Sequence, residues 1–199
     1  TNTNKNFNEN ELVAENFLSK DSSRTVNYNF TYNSEIMIDM YGFTTKDLNK
    51  IFDEQAYFIS SVRSYKLVPN ISINKFPKDF SLITSTKDKK SLFIRSLLPL
   101  IISENNKIIE ANKRIKKINN NTFEYIARDD ALWLKKQFKN YKVKSHHIDD
   151  LIAKVDIIPV SIALAQAAIE SGWGTSRFVS EGNALFGQWS WFKGSGIIP

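Results

Sequence analysis

PVSIALAQAAIESGWG, residues 159–174, is the stretch of sequence that decides the fold of this chain. From residue 163 to residue 169 every side chain except that of Gln166 is small or apolar, which is typical of a helix surrounded by other elements. Pro159 suits the first turn of that helix, and Gly172 suits the position just beyond its end. The stretch therefore predicts a central helix over 159–171. Three of its side chains are expected to be almost inaccessible, those of Ala165, Ala168 and Ile169.

Other parts of the chain also carry helical patterns. Apolar residues recur at helical spacing in four further ranges, 46–65, 89–118, 123–140 and 145–153. Thr44 or Thr45 can cap the first of these helices, and Ser145 can cap the last. Pro99 lies inside the longest range and is expected to kink it.

Few segments predict extended structure. Residues 25–32, TVNYNFTY, alternate strictly between apolar and polar side chains, which predicts a strand or an extended segment. Pro69 and Pro77 bracket an extended connection. The first 24 or so residues, rich in Asn, Ser and Lys, are interpreted as a tail or linker. The sequence therefore predicts a mainly α fold.

Length and composition set broad limits on the class of protein. The chain has 199 residues, of which 42% are hydrophobic, so we expect a packed core in one domain or in one domain with an appended segment. The absence of cysteine excludes disulfides, thiolate nucleophiles and cysteine-type zinc sites. No apolar run approaches the roughly 18–20 residues that cross a bilayer.

The charge of the chain is modestly positive. Its 27 Lys and Arg against 21 Asp and Glu give a formal charge of +6, which favours anionic partners in general. The basic residues are scattered, however, and the densest cluster, at 113–117, has the spacing of a solvated helix face, so no nucleic-acid partner is predicted. His146 and His147 are adjacent and point about 100° apart on a helix, so no metal site is predicted.

Glu170 is the candidate catalytic residue. It closes the helix of the deciding stretch, beside Trp173 and two glycines. We expect burial there to raise the pKa of its carboxyl, because desolvation disfavours the charged form. A protonated carboxylic acid near neutral pH is what general-acid cleavage of a glycosidic bond requires. The alternative is a glutamate that only caps or salt-bridges the helix end, and the pattern alone does not separate the two.

Aromatic residues follow in the stretch NALFGQWSWFKG, residues 183–194. Indole faces stack on the apolar faces of pyranose rings, and Asn183 can hydrogen-bond hydroxyl or acetamido groups. The alternative is that the aromatic side chains fill the core. Trp189 and Trp191 lie beside glycines in a predicted loop, which favours a binding surface. For Trp173 both interpretations stay open.

AQAAIESGWGTSRF (165–178) followed by EGNALFGQW (181–189) resembles the glucosaminidase domain of bacterial peptidoglycan hydrolases, glycoside hydrolase family 73, in its Bax-like branch. The likeness extends upstream through 68–80, 92–109 and 154–166. It indicates a glucosaminidase-like domain over 65–199, preceded by a tail and helical extension over 1–64.

The resemblance implies a lysozyme-like, mostly helical fold in which Glu170 is the general acid. It also implies a set of substrate-binding positions, Gln166, Ser171, Trp173, Asn183, Phe186 and Gly187. Family members continue into a small β-lobe that brings a second carboxylate to the cleft, whereas this chain stops at GSGIIP. We therefore expect a domain that is truncated before this lobe.

The function that the resemblance implies is hydrolysis of β-1,4 bonds in peptidoglycan glycan strands, on the N-acetylglucosamine side. It implies no metal or organic cofactor, and a location in the periplasm or cell envelope. An anchor preceding Thr1 would allow membrane association. The alternative is a non-catalytic cell-wall glycan-binding or scaffold module, or an inactive fragment of the enzyme.

Overall fold

The structure is a computed structural model that describes residues 28–31, 35–120 and 126–186. Its helices are α1 (Thr45–Glu54), α2 (Ile59–Tyr65), α3 (Thr86–Asn119), α4 (Arg128–Asn140), α5 (Ile148–Lys154), α6 (Val160–Ser171) and α7 (Arg177–Gly182). Its strands are β1 (Asn29–Phe30), β2 (Ile36–Ile38), β3 (Leu67–Val68) and β4 (Ile71–Ile73), and a short 3-10 turn spans Phe80–Leu82. The mainly α class is confirmed, and the architecture is consistent with a lysozyme-like helical domain.

Helix α1 is capped by Thr44, one of the two caps that the sequence predicted, and the cap is a capping box. The Thr44 hydroxyl accepts a hydrogen bond from the Asp47 N–H at 3.3 Å, and the Asp47 carboxylate accepts one from the Thr44 N–H at 2.8 Å. The prediction of one helix over 46–65 is wrong, because the chain leaves helical geometry between α1 and α2. Ala56 has a φ of 49° there, and a left-handed residue cannot continue a right-handed helix.

Two other helix starts differ from the prediction. Helix α5 begins after His147 and not after Ser145. The Ser145 hydroxyl instead accepts from the His147 N–H at 3.3 Å and donates to the Asp150 carboxylate at 2.5 Å. Helix α4 begins at Arg128, later than predicted, and the predicted start at 123 lies outside the described residues. Helix α3 runs on through Pro99.

The strands form two parallel pairs. Strand β1 pairs with β3, with Asn29 opposite Leu67, and β2 pairs with β4, with Ile36 opposite Ile71. The segment with β1 and β2 therefore runs parallel to the segment with β3 and β4. Of the strand predicted over 25–32, Asn29–Phe30 form β1 and Tyr28 and Thr31 lie outside the strand, whereas residues 25–27 and 32 lie outside the described residues.

The chain folds as two units. One contains the described residues up to Ile101 together with those from Pro159 onward, and the other contains the described residues of Ile102–Ile158. The second unit has its own apolar core, formed by Ile115, Ile118, Leu134, Phe138, Val143, Leu151 and Val155. In the first unit, strands β1 and β2 pair with strands that follow residue 64. The predicted domain boundary between residues 64 and 65 stays a prediction.

In the first unit a buried arginine ties α1 to α3. Arg95 donates to the Asp53 carboxylate at 3.0 Å and to the Tyr57 carbonyl at 3.2 Å, and it also bonds the Asn49 side chain. Breaking such a pair would leave a buried charge without its partner, which is strongly destabilising.

Among the described helices, none combines the length and the hydropathy that a bilayer span requires.

Helix α6 is buried on one side rather than all round. Its inaccessible residues are Ala163, Leu164, Ala167, Ala168 and Ser171. The expectation holds for Ala168, but Ala165 is only partly buried and Ile169 is 80% exposed. The prediction is wrong for these two because a side chain is buried only if another element covers it, and the described residues cover one face of α6.

Candidate functional site

The end of α6 is a tight left-handed turn that carries the predicted site. Gly172, Trp173 and Gly174 have consecutive positive φ values of 57°, 58° and 80°. The Trp173 N–H donates to the Ala168 carbonyl at 2.8 Å, which satisfies one of the free carbonyls of the last helical turn. The turn thereby fixes the direction of the Trp173 side chain, three residues after Glu170.

Ser171 holds this turn from inside. The side chain is fully buried, and its hydroxyl donates to the Ala167 carbonyl at 2.5 Å. The same oxygen accepts from the Gly174 N–H at 2.9 Å. In the structure Ser171 therefore shapes the turn. Its contact with substrate stays a prediction.

Ser171→Ala is expected to lower the free energy of unfolding by about 1–3 kcal/mol, because it leaves the buried Gly174 N–H without its acceptor. Chemical denaturation followed by circular dichroism measures this change. The matched control is Ser180→Ala on α7, whose exposed hydroxyl donates to the Arg177 carbonyl, and which should cost no more than about 0.5 kcal/mol. Equal losses in the two variants would contradict the role assigned to Ser171.

Gly174 packs against a cluster of phenylalanines. A Cβ at this position would lie 3.0 Å from Phe80, 3.1 Å from Phe93 and 3.4 Å from Phe76. Phe76 also meets Phe80 edge to face, with ring centroids 4.7 Å apart. The turn therefore packs directly on the aromatic cluster. Position 174 requires glycine because a side chain would collide with the cluster and because the backbone φ there is positive.

Trp173 lies at the edge of the same cluster. Its ring centroid is 5.5 Å from that of Phe93, at an interplanar angle of 66°. The Lys90 ammonium lies over the indole, 4.9 Å from the ring centroid. Trp173 is half-buried, so it both contributes to the packing and leaves part of its ring accessible. The packing on Phe93 agrees with a core role for Trp173, and the accessible part of the ring leaves a binding role open.

Glu170 lies in the last turn of α6, with an exposed side chain. The expected burial of its carboxyl is wrong for the part of the chain that the structure describes. The apolar neighbours of Glu170 along the chain do not cover it, since Ile169 is itself exposed and Trp173 packs on Phe93. Arg177, the nearest basic residue along the chain, forms an ion pair with Glu181 at 3.6 Å.

Asn183 ends α7 and reaches back to the segment after β4. Its backbone is left-handed, with a φ of 52°, and its N–H donates to the Val179 carbonyl at 2.9 Å. Its side-chain Nδ2 donates to the Asn74 carbonyl at 3.0 Å. This hydrogen bond holds the end of α7 to the segment after β4. Phe186 is 44% exposed.

Asn74 in turn is held by the segment that follows β2. Its Oδ1 accepts from the Met40 N–H at 3.0 Å, and its Nδ2 donates to the Asp39 carboxylate at 2.8 Å. The hydrogen bond from Asn74, followed by the one from the Tyr41 N–H, lowers the pKa of Asp39. Because the bonded form of Asp39 is the carboxylate, this contact is present at neutral pH and is lost on strong acidification.

Four of the predicted residues therefore lie in the last turns of α6 or just after it, namely Gln166, Glu170, Ser171 and Trp173, and Gln166 is exposed there. Gly187, Trp189 and Trp191 lie outside the described residues. Sequence reasoning missed Lys90 and Asn74, and also helix α7. In the described ranges no group of three or more acidic or histidine side chains is arranged to hold a metal ion.

The chain matches a known family in the region of this site. The family model Glucosaminidase, described as mannosyl-glycoprotein endo-beta-N-acetylglucosaminidase, matches residues 145–196. That range contains α6, the left-handed turn and Asn183. The match agrees with the resemblance indicated by two motifs in that range, ESGWG (170–174) and NALFG (183–187).

A curated relative extends the likeness along the chain. Protein bax of Escherichia coli (strain K12) is 35% identical over 145 residues, which cover 69% of this chain and 48% of that protein. This chain therefore spans about half the length of the relative. No solved structure gives a significant match. Together the two matches confirm the assignment of the chain as a Bax-like protein with a glucosaminidase-family segment.

Proposed function

We propose that the chain is a peptidoglycan hydrolase of the N-acetylglucosaminidase type, with Glu170 as its general acid. The observation that carries the proposal is the position of Glu170 inside the segment that matches the glucosaminidase family. Its carboxyl is exposed at the end of α6 beside the half-buried Trp173, so a long polymer can approach it.

The proposed reaction is the hydrolysis of a β-1,4 glycosidic bond. Glu170 donates its proton to the leaving oxygen while the bond from that oxygen to the anomeric carbon breaks. One water molecule is consumed: its hydroxyl adds to the anomeric carbon, and its remaining proton returns to the Glu170 carboxylate, which restores the acid. The accessible part of the Trp173 ring supports this by stacking on a neighbouring sugar ring. We also propose the periplasm or cell envelope as its place of action, because peptidoglycan is found there.

Analysis of the new reducing ends tests the proposal. Purified peptidoglycan is incubated with the chain, reduced with borohydride and hydrolysed, and the reduced amino sugars are separated. We expect glucosaminitol to increase, because cleavage on the N-acetylglucosamine side leaves that sugar at the reducing end. An increase in muramitol alone would place the cut on the other side and contradict the proposed bond.

A second candidate function is a non-catalytic module that binds cell-wall glycan. The exposure of Glu170 favours it, because the described residues do not enclose this side chain in a cleft. The two candidates differ in one measurement. Co-sedimentation with peptidoglycan without any new reducing ends would support the binding module and exclude the hydrolase.

A further inference from the structure

We infer that Lys90 and Trp173 form a subsite for a carboxylate carried by the substrate, and that the chain prefers acidic glycan to neutral glycan. The inference rests on the proposed function and specifies its substrate class. Its basis is the ammonium of Lys90, which lies 4.9 Å from the centroid of the Trp173 ring. Trp173 belongs to the ESGWG motif and follows Glu170 by three residues.

The charge of Lys90 is free to act on a ligand. None of the ion pairs in the described part of the chain includes Lys90. Its contact with the Trp173 ring fixes the position of the ammonium without neutralising it, since a cation–π contact leaves the charge in place. The ammonium has three donors, and a carboxylate can accept from those that point away from the ring.

The surroundings of Lys90 add positive potential. The first turns of α3 read TKDKK, so Lys87 and Lys89 lie close to Lys90 and Asp88 is the one acidic residue among residues 86–90. Cations at the start of a helix oppose its dipole and are unfavourable for the helix itself. An anionic group bound at Lys90 would interact favourably with both the lysines and the dipole.

The combination of an indole with a fixed ammonium matches a particular ligand chemistry. A sugar ring can pack on the accessible part of the indole, and a carboxylate attached near that sugar can pair with Lys90. Peptidoglycan carries carboxylates on the peptides attached to its glycan, whereas chitin-type glycan is neutral. The geometry therefore favours peptidoglycan with free carboxylates over neutral N-acetylglucosamine polymers.

A charge-matched binding experiment tests the inference. The full chain is co-sedimented with native peptidoglycan and with the same peptidoglycan after carbodiimide amidation of its carboxylates. We expect the wild type to bind the native polymer about two- to fivefold more tightly, which is the effect of one partly exposed ion pair. Lys90→Met should remove this preference, and Lys90→Arg should retain most of it.

The control is Lys87→Met, which removes the same charge from the same turn of α3. Because Lys87 adds only to the surrounding potential, whereas Lys90 lies over the Trp173 ring, most of the preference is expected to remain. Thermal unfolding of each variant verifies that the fold is intact. If Lys90→Met weakens binding to both polymers equally, or keeps the wild-type preference, the subsite is contradicted while the proposed function stands. If the wild type binds neither polymer and cuts neither, the proposed function fails and this inference fails with it.

Discussion

Glu170→Gln is expected to reduce the release of reducing ends from peptidoglycan by at least about a hundredfold, and to leave binding of the polymer within about twofold. A positioned general acid contributes roughly 10²–10⁴ to a rate, and the amide of glutamine has no acidic proton to donate. The exchange keeps the size and polarity of the side chain, which is exposed at the end of α6, so stability should hardly change. Reducing-end assays and co-sedimentation measure the two halves of the prediction.

The matched control is Glu181→Gln on α7. Glu181 is also exposed, and it pairs with Arg177 four residues earlier on the same helix at 3.6 Å. Its substitution removes the same charge and costs a surface ion pair, which is worth about 0.5 kcal/mol. We expect its activity to equal that of the wild type. A Glu170→Gln variant that cuts as fast as the Glu181→Gln variant would show that Glu170 is not the acid.

The ends of α6 could be predicted from the sequence because they depend on local chemistry. Pro159 directly precedes the helix, and Gly172 terminates it in the left-handed conformation that glycine adopts most easily. The exposure of Ile169 could not be predicted in this way. Its apolar side chain shows that burial would be favourable, but only the arrangement of other elements decides whether burial occurs.

The residues that hold the site in place could not be predicted from the sequence either, because their contacts depend on the tertiary fold. Asn74 accepts a hydrogen bond from Asn183 across 109 positions of the chain, and Lys90 reaches Trp173 from another helix. Neither residue stands in a motif, and each has the ordinary appearance of a polar residue near a turn or a helix start. The ESGWG and NALFG motifs show which residues are candidates, whereas the fold decides what holds them.

Gly174→Ala is expected to lower the free energy of unfolding by about 2–4 kcal/mol. Part of the loss is the backbone term, because alanine at a φ of 80° costs roughly 1–2 kcal/mol. The rest comes from packing, since the added methyl would lie 3.0 Å from Phe80 and 3.1 Å from Phe93, and overpacking of a core costs about 1–3 kcal/mol. Chemical denaturation followed by circular dichroism measures the total.

Gly42→Ala separates these two contributions. Gly42 has a φ of 78°, almost the same as that of Gly174, but a Cβ there would meet no atom within 4 Å. The control should therefore lose the backbone contribution alone, and the difference between the variants gives the packing contribution of the phenylalanine cluster. Because Phe93 also contacts Trp173, the Gly174 variant should bind peptidoglycan more weakly as well, whereas the Gly42 variant should not. Equal stability losses in the two variants would mean that the phenylalanine side chains move to accommodate the methyl group at no cost. The turn after Glu170 would then not be held by close packing.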